Sequence, residues 1–429
     1  MAPITDEAGN QRRVLVVGGG PAGSTAAFWL AKAGFDVQVA ELSSVAPYGQ
    51  GIDVTDEAVA VVRGMGVLDT IKANTTGETG FALLDDQARE IGSLGRNPSE
   101  AKEKGISPSQ EIEIMRGTLT KILVDAAKAQ NVQYRYGCTV SSIDQHAGGV
   151  TVKLSDSESP EDFTAIIGAD GVASQTRKLS FPASANANPF VQTDTYCAYF
   201  SMEADRQTRV PYSRLQHADK GRAIWIRPID AEGKKVSCYF IVTSPNNAKL
   251  QDIARPGATQ GERKAFLEEL YHDMDGVKQE AVRGMHQSTD FYFSRIVQVA
   301  LPTWHEGRCG LVGDAAYCPS PLSGQGTTLA LIGGYMIAGE LAANPADPAA
   351  AFEEYQRKFQ GYVKEEGSIP LGGKAPAIFE PQSRLGLWIL RTAFWGITRS
   401  GLPQLLENLP SFQSEGPTKK FRLPQYAFA

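Results

Sequence analysis

Apolar and polar positions along this chain change period several times, and each change marks an element. "RVLVV", Arg13 to Val17, is an apolar β-type run, Pro21 to Ala33 is Ala-rich and helical, and "DVQVAE", Asp36 to Glu41, alternates again. Strand, helix and strand in that order predict a βαβ unit, whose crossover implies a parallel sheet. "GTLTKILVDAAKA", Gly117 to Ala129, predicts a second amphipathic helix that feeds the strand "VQYRY". "CTVSSIDQHAGGVTVKLSD" reads as strands joined by a Gly-Gly turn, and "FTAIIGADG" as a buried strand ending in a glycine turn.

From about Asp194 to Ser244 the pattern becomes aromatic and alternating, in "TYCAYFSME", "RAIWIRP" and "KVSCYFIVTS". This predicts an antiparallel sheet inserted between two halves of the first domain. The chain returns to that domain at "RCGLVGDAA", followed by a long helix from about Gln325 to Ala342. The fold class expected is α/β: a Rossmann-like domain with a parallel sheet, interleaved with a mostly antiparallel substrate domain, plus C-terminal helices. The boundaries expected are 1–178 and 295–370 for the first domain, 179–294 for the insertion and 371–429 for the helical end. "RLGLWILRTAFWGITRSGL", Arg384 to Leu402, has arginines spaced too closely to span a bilayer. It is expected as an amphipathic helix on the protein's own body, with a membrane-surface or dimer helix as the alternative.

At 429 residues the chain is too long for one ordinary core, in keeping with two domains or a large insertion. A net charge of −6 offers no electrostatic reason to bind nucleic acid or an anionic membrane. "MAPITDEAGNQRR" resembles neither a signal nor a transit peptide, so a cytoplasmic location is expected. The five cysteines show no CxxC pair and are expected as buried thiols, a disulfide or metal site being the alternative. The five histidines lack HxxxH or HxH spacing, so no metal is expected.

"GGGPAG" between the first strand and helix carries the first chemistry. Gly18 permits a tight turn, Gly20 lets the backbone approach a pyrophosphate, and Gly23, after Ala22, lets the helix pack closely on the sheet. Phosphates would sit on the helix N-terminus, and Glu41, followed by Leu42, is placed to accept hydrogen bonds from ribose hydroxyls. The alternative is an ordinary glycine turn. The fingerprint alone does not separate FAD from NAD.

Two further stretches, "GADGVASQTR" (Gly168 to Arg177) and "GLVGDAAYCPSPLSGQGTTLAL" (Gly310 to Leu331), resemble motifs of the group A flavin monooxygenases, the aromatic-hydroxylase family. The resemblance implies FAD, with Asp170 and Asp314 as cofactor contacts and with Pro321, Gly324, Gln325, Gly326 and Thr327 running beside the isoalloxazine ring. Asp314 ends a buried strand, where an acid needs partners such as ribityl hydroxyls, or else caps a helix. Asp170 has a plain turn role as its alternative. "YGQGIDV" and "EIEIMRGTLTKIL" are most similar to the tetracycline-degrading branch, which implies cofactor roles for Arg116, Ile52 and Asp53, and Val140 joins this set. Two positions depart from the family pattern: Tyr317 stands where His is usual and Thr327 where Asn is usual.

No second GxGxxG follows residue 100, which agrees with a family that binds NAD(P)H transiently, without a separate domain. On the inserted sheet Tyr199, Trp225 and Arg227 would hold an aromatic, oxygen-rich ligand if their face looks at the flavin; otherwise these aromatics are sheet core. The resemblance implies an NAD(P)H-consuming monooxygenase that hydroxylates a small aromatic or polycyclic compound with O2, through a C4a-hydroperoxyflavin, as a monomer or homodimer. Such chemistry needs no side-chain nucleophile, and no catalytic residue is named. The rivals are Baeyer–Villiger oxidation, epoxidation or dehydrogenation on the same scaffold, and a non-catalytic flavin-binding or membrane-escort protein. "AIWIRP" lacks the Trp-x-Trp-x-Ile-Pro signature of flavin halogenases.

Overall fold

Strand Arg13–Val17 is buried from Val14 onward and lies at the centre of a six-stranded sheet. The computed structural model describes residues 3–6, 9–43, 49–95, 112–181, 189–206, 208–319, 323–367, 381–400 and 421–428. Across that sheet the order is His305–Glu306, Cys309–Leu311, Ala165–Gly168, Arg13–Val17, Asp36–Glu41, Gln133–Tyr136. All pairs are parallel except the edge hairpin of His305–Glu306 with Cys309–Leu311. Helix Pro21–Ala33 has Pro at its first position and ends on Gly34 in the left-handed region (φ 103°). It packs against helix Gly326–Ala343 so closely that a Cβ on Gly334 would meet Ala22 O at 2.6 Å. Helix Gly326–Ala343 has the length and apolarity of a membrane span, yet it is packed inside the protein.

The second sheet has seven strands, ordered Tyr292–Val299, Phe190–Glu203, Lys235–Thr243, Arg222–Pro228, Ser213–Ala218, Phe81–Leu84, Glu90–Leu94. It is antiparallel except where Ser213–Ala218 runs beside Phe81–Leu84. Two of its strands therefore come from residues 81–94, far upstream of the expected insertion, and its first strand in this order runs on to Val299. One face, with Tyr196, Ala198, Phe200 and Phe240, is buried against helices between Ala248 and Gln287. The other face carries Cys197, Tyr199, Trp225, Tyr239 and Ile296. All five cysteines are buried thiols.

Helix Arg384–Arg399 lies on the strands Glu90–Leu94 and Ser213–Ala218 of this second sheet. Its Arg391 reaches Asp86 and its Leu387 is buried, while Trp388 and Trp395 are exposed. The last described segment, 421–428, docks on the first unit. Phe428 packs on Trp29, the Tyr426 hydroxyl donates to Glu340, and Gly339 leaves room for the Tyr426 ring.

Candidate active site

The first strand, its glycine turn and the following helix converge on one corner of the parallel sheet. Gly18 has φ +104°, and a side chain there would run into the Ala169–Asp170 backbone. A Cβ on Gly23 would collide with the Gly18 carbonyl, so this glycine sets the closeness of helix to strand. Gly20, the residue before the helix, has nothing within 4 Å of its Cβ direction, and no side chain caps the helix behind it. Unpaired N–H groups at such an end attract an anion. Glu41 closes the corner: its two oxygens accept from Gly19 N (2.6 Å) and Ser43 N (2.8 Å). Each oxygen keeps a second lone pair for an outside donor. Leu42, next along, is largely exposed.

The second motif is held against the first. Gly313 (φ +64°) precedes the short helix Asp314–Tyr317, and its Cβ direction points at the Ala22 methyl, 2.9 Å away. Arg177 is fully buried and donates to Ala315 O and Val172 O, each at 2.7 Å, which ties the "GADG" loop to the "GDAA" turn. Burial pushes the Asp314 carboxyl above the ordinary carboxylate range, with the Arg116 charge working the other way. Arg116 is exposed at the start of helix Arg116–Lys128, and its N–H donates to Gln50 O at 2.9 Å.

Helix Gly326–Ala343 begins in the same region, behind Gly324 (φ +68°), with open space over that glycine and no side-chain cap. Gln325 Oε1 is buried without a hydrogen-bond partner. Gly326 and Thr327 form the first turn, half-buried. Two uncapped helix N-termini, a glycine cradle open on one side and an orphaned amide oxygen fit a group that carries phosphates at one end and a polar ring edge at the other.

Two of the expected contacts, Asp170 and Val140, turn their side chains into the protein itself. Asp170 turns its carboxylate onto its own loop, accepting from Ser174 Oγ (2.5 Å), Thr176 N (2.9 Å) and Thr176 Oγ1 (3.0 Å). Val140 has its side chain in a small core with Cys138, Val150 and Val152, so only its backbone faces elsewhere. Pro321 lies outside the described residues.

Ile52 and Asp53 lie on a two-stranded ribbon, Gly51–Asp53 with Glu113–Met115, which runs straight into the Arg116 helix. The seven-stranded sheet faces this ribbon with its aromatic side. Tyr199, Tyr239 and Trp225 stand on three adjacent strands in cross-strand register. Tyr199 and Tyr239 meet edge to face at 5.2 Å, and Trp225 lies 5.7 Å from Tyr239. The Gly51 N–H donates to the Tyr239 hydroxyl at 3.3 Å. Burial holds the Tyr199 phenol well above its ordinary pKa. Trp225 Nε1 is buried without a partner.

Arg227 borders this row, its guanidinium 4.6 Å from the Trp225 ring centroid. It is already paired with two acids. Its Nε bonds Glu78 Oε2 at 3.0 Å, and its Nη2 bonds Glu113 Oε1. Burial works against the Arg227 charge, but Glu113 and Glu78 outweigh it and raise its pKa. Glu113 is pushed up to about 7, because burial and the neighbouring Glu78 and Asp53 together outweigh Arg227 and a Thr76 hydroxyl. Asp53 is also raised, chiefly by burial, with Arg227 opposing. Glu78, Glu113 and Tyr239 are not singled out in the sequence: their partners lie far along the chain, and the stretches that hold Glu113 and Tyr239 carry no sign of those partners.

Residues 11–357 match the family model of the FAD binding domain. A monooxygenase of Cercospora beticola, CTB7, is 48% identical over 424 residues, spanning 98% of this chain and 99% of that one. The chain belongs to the flavin-dependent monooxygenases. A flavin-dependent monooxygenase of Legionella longbeachae is 32% identical to it over 361 residues, covering 82% of this chain and 86% of the relative. The crystal structure of tetracycline destructase Tet(55) superposes on this monooxygenase with a TM-score of 0.75 at 27% identity, covering 99% of this chain and 100% of the other. This monooxygenase is an oxidoreductase that uses FAD, and the open cradle and uncapped helix ends described above suit that cofactor.

Proposed function

We propose that this enzyme consumes NAD(P)H and O2 to hydroxylate a small aromatic or polycyclic compound held against Tyr199, Tyr239 and Trp225. The observation that carries this reading is the position of that aromatic row. It covers the ribbon Gly51–Asp53/Glu113–Met115, whose continuation is Arg116, so one wall of the ligand pocket belongs to the seven-stranded sheet and the other to the cofactor unit. Pockets at such junctions between units are usual.

In this reading the N-terminus of helix Pro21–Ala33 takes the pyrophosphate, Glu41 the adenosine ribose, and Arg116 and Asp314 the phosphate and ribityl region. Gln325 Oε1 and the first turn of helix Gly326–Ala343 meet the ring edge. There the helix N-terminus favours negative charge on the reduced ring. FAD supplies electron transfer from NAD(P)H and activation of O2. The chain's own residues position and exclude. Tyr199, kept neutral by burial, can donate a hydrogen bond, as can the unpartnered Trp225 Nε1, while the ring faces stack on the ligand and keep water away. Asp170 and Arg227 shape the loops and walls.

The test is a set of aromatic compounds scored for faster NAD(P)H oxidation, repeated with Trp225→Ala. The variant is expected to retain FAD, to raise KM and to divert reducing equivalents to H2O2. Unchanged KM and coupling with every active compound would remove the aromatic row from the pocket.

A further inference from the structure

One guanidinium and three carboxyl groups meet where the two units join beside the aromatic row. Arg227 is bonded to Glu78 and Glu113, whose side chains are 4% and 5% exposed, and Asp53 stands directly across the ribbon from Glu113. Glu113 Oε2 is buried and has no partner at hydrogen-bonding geometry. The cation that borders the pocket is therefore already paired with two acids, and with Asp53 the carboxyl groups around it number three to one.

Resting on the reading above, we infer that the Glu78–Arg227–Glu113–Asp53 cluster sets the charge class of the substrate: the site accepts an uncharged hydroxyaromatic ligand and rejects a carboxylate. A carboxylate beside Trp225 would find Arg227 already holding two acids and would add a further negative charge in a poorly solvated corner. A neutral hydroxyl meets no such repulsion, and it can accept from Trp225 Nε1 or pair with the phenol of Tyr199. Rejection by unfavourable charge is a common route to specificity. Rejection should grow from pH 6 to 8, as Glu113 gives up its proton among Glu78, Asp53, Arg227, Tyr239 and Thr76.

The experiment titrates the FAD-loaded protein with 2-naphthol and with 2-naphthoate, following perturbation of the flavin absorption band. The expected result is binding of 2-naphthol, with 2-naphthoate weaker by about tenfold or more at pH 8. The gap should narrow at pH 6 and narrow at pH 8 in Glu113→Gln. If that variant does not fold, the pH series on the unaltered enzyme carries the test. Equal or tighter binding of 2-naphthoate overturns the inference, as does a gap that ignores both pH and Glu113→Gln. Binding of neither probe also overturns it, whereas the monooxygenase reading would fall only on loss of ligand-stimulated NAD(P)H oxidation.

Discussion

Gly313 and Ala22 touch across the two cofactor motifs with no room for another methyl. A Cβ on Gly313 would stand 2.9 Å from the Ala22 Cβ, on a backbone at φ +64°. Gly313→Ala therefore combines left-handed strain with overpacking, each of order 1–3 kcal/mol. The variant is expected to lose FAD during purification and to melt several degrees lower. Normal FAD content and melting temperature would show that the two motifs tolerate separation.

The proposed reading puts Glu41 and Arg116 at opposite ends of the cofactor. Glu41→Ala and Arg116→Ala should each weaken FAD binding by about 1–3 kcal/mol, or roughly five- to a hundred-fold, without unfolding the chain. In Arg116→Ala the Asp314 carboxyl loses the charge that holds it down, so FAD should dissociate at a higher pH on acidification than in the parent. Apoprotein titrated with FAD, with circular dichroism for the fold, measures both. Heat or acid should release intact FAD.

The Glu113 carboxyl gives a stability test whose sign is opposite to that of a salt-bridged acid. Its folded pKa is about 7 against an ordinary value of 4.5, so between those values the folded chain holds a proton that the unfolded chain has released. Its contribution to stability is greatest below the ordinary value and declines as pH rises through about 7. Relative to Glu113→Gln, the parent should lose about 1–3 kcal/mol between pH 5 and pH 8. Melting temperatures of the pair across that range should diverge, with the parent falling. A parent that gains on the variant as pH rises would mean that Arg227 dominates.

The C-terminal segment docks on the two helices that begin at the cofactor corner. Phe428 lies 4.6 Å from the Trp29 ring, and Lys358 and Tyr426 share the buried Glu340. Deleting residues 421–429 exposes Trp29 and Tyr335 and leaves Glu340 with Lys358 alone, a loss of roughly 2–5 kcal/mol. Thermal unfolding of the shortened chain measures it, and an unchanged midpoint would make the docking incidental.

Local signals in the sequence located the cofactor unit well. Strand Arg13–Val17, helix Pro21–Ala33 and strand Asp36–Glu41 lie where the apolar period and the glycines put them, and the long helix begins within a residue of its expected start. These elements are set by neighbours in the chain: a glycine turn, a helix N-terminus, a continuous apolar run. Strands Phe81–Leu84, Glu90–Leu94 and Ser213–Ala218 were not legible, since two of them acquire meaning only by pairing across some 130 residues. The same limit hides the acids around Arg227. Glu78 and Glu113 lie 149 and 114 residues from it, and nothing beside them in sequence announces a buried ion pair. Alternation sorts Tyr199 within its own strand and Trp225 with Arg227 within another, but that both share the face covering the Gly51–Asp53 ribbon is a tertiary fact.

Oxygen transfer to an uncharged aromatic ligand is the centre of this account, and isotope labelling tests it most directly. The compound that most strongly stimulates NAD(P)H oxidation is turned over under 18O2 and under unlabelled O2, and the products are compared by mass spectrometry with H2O2 assayed in parallel. The product formed under 18O2 is expected to be heavier by about two mass units, with little H2O2, since the cofactor carries the oxygen chemistry and the protein positions the ligand. An unlabelled, desaturated product with stoichiometric H2O2 would contradict it.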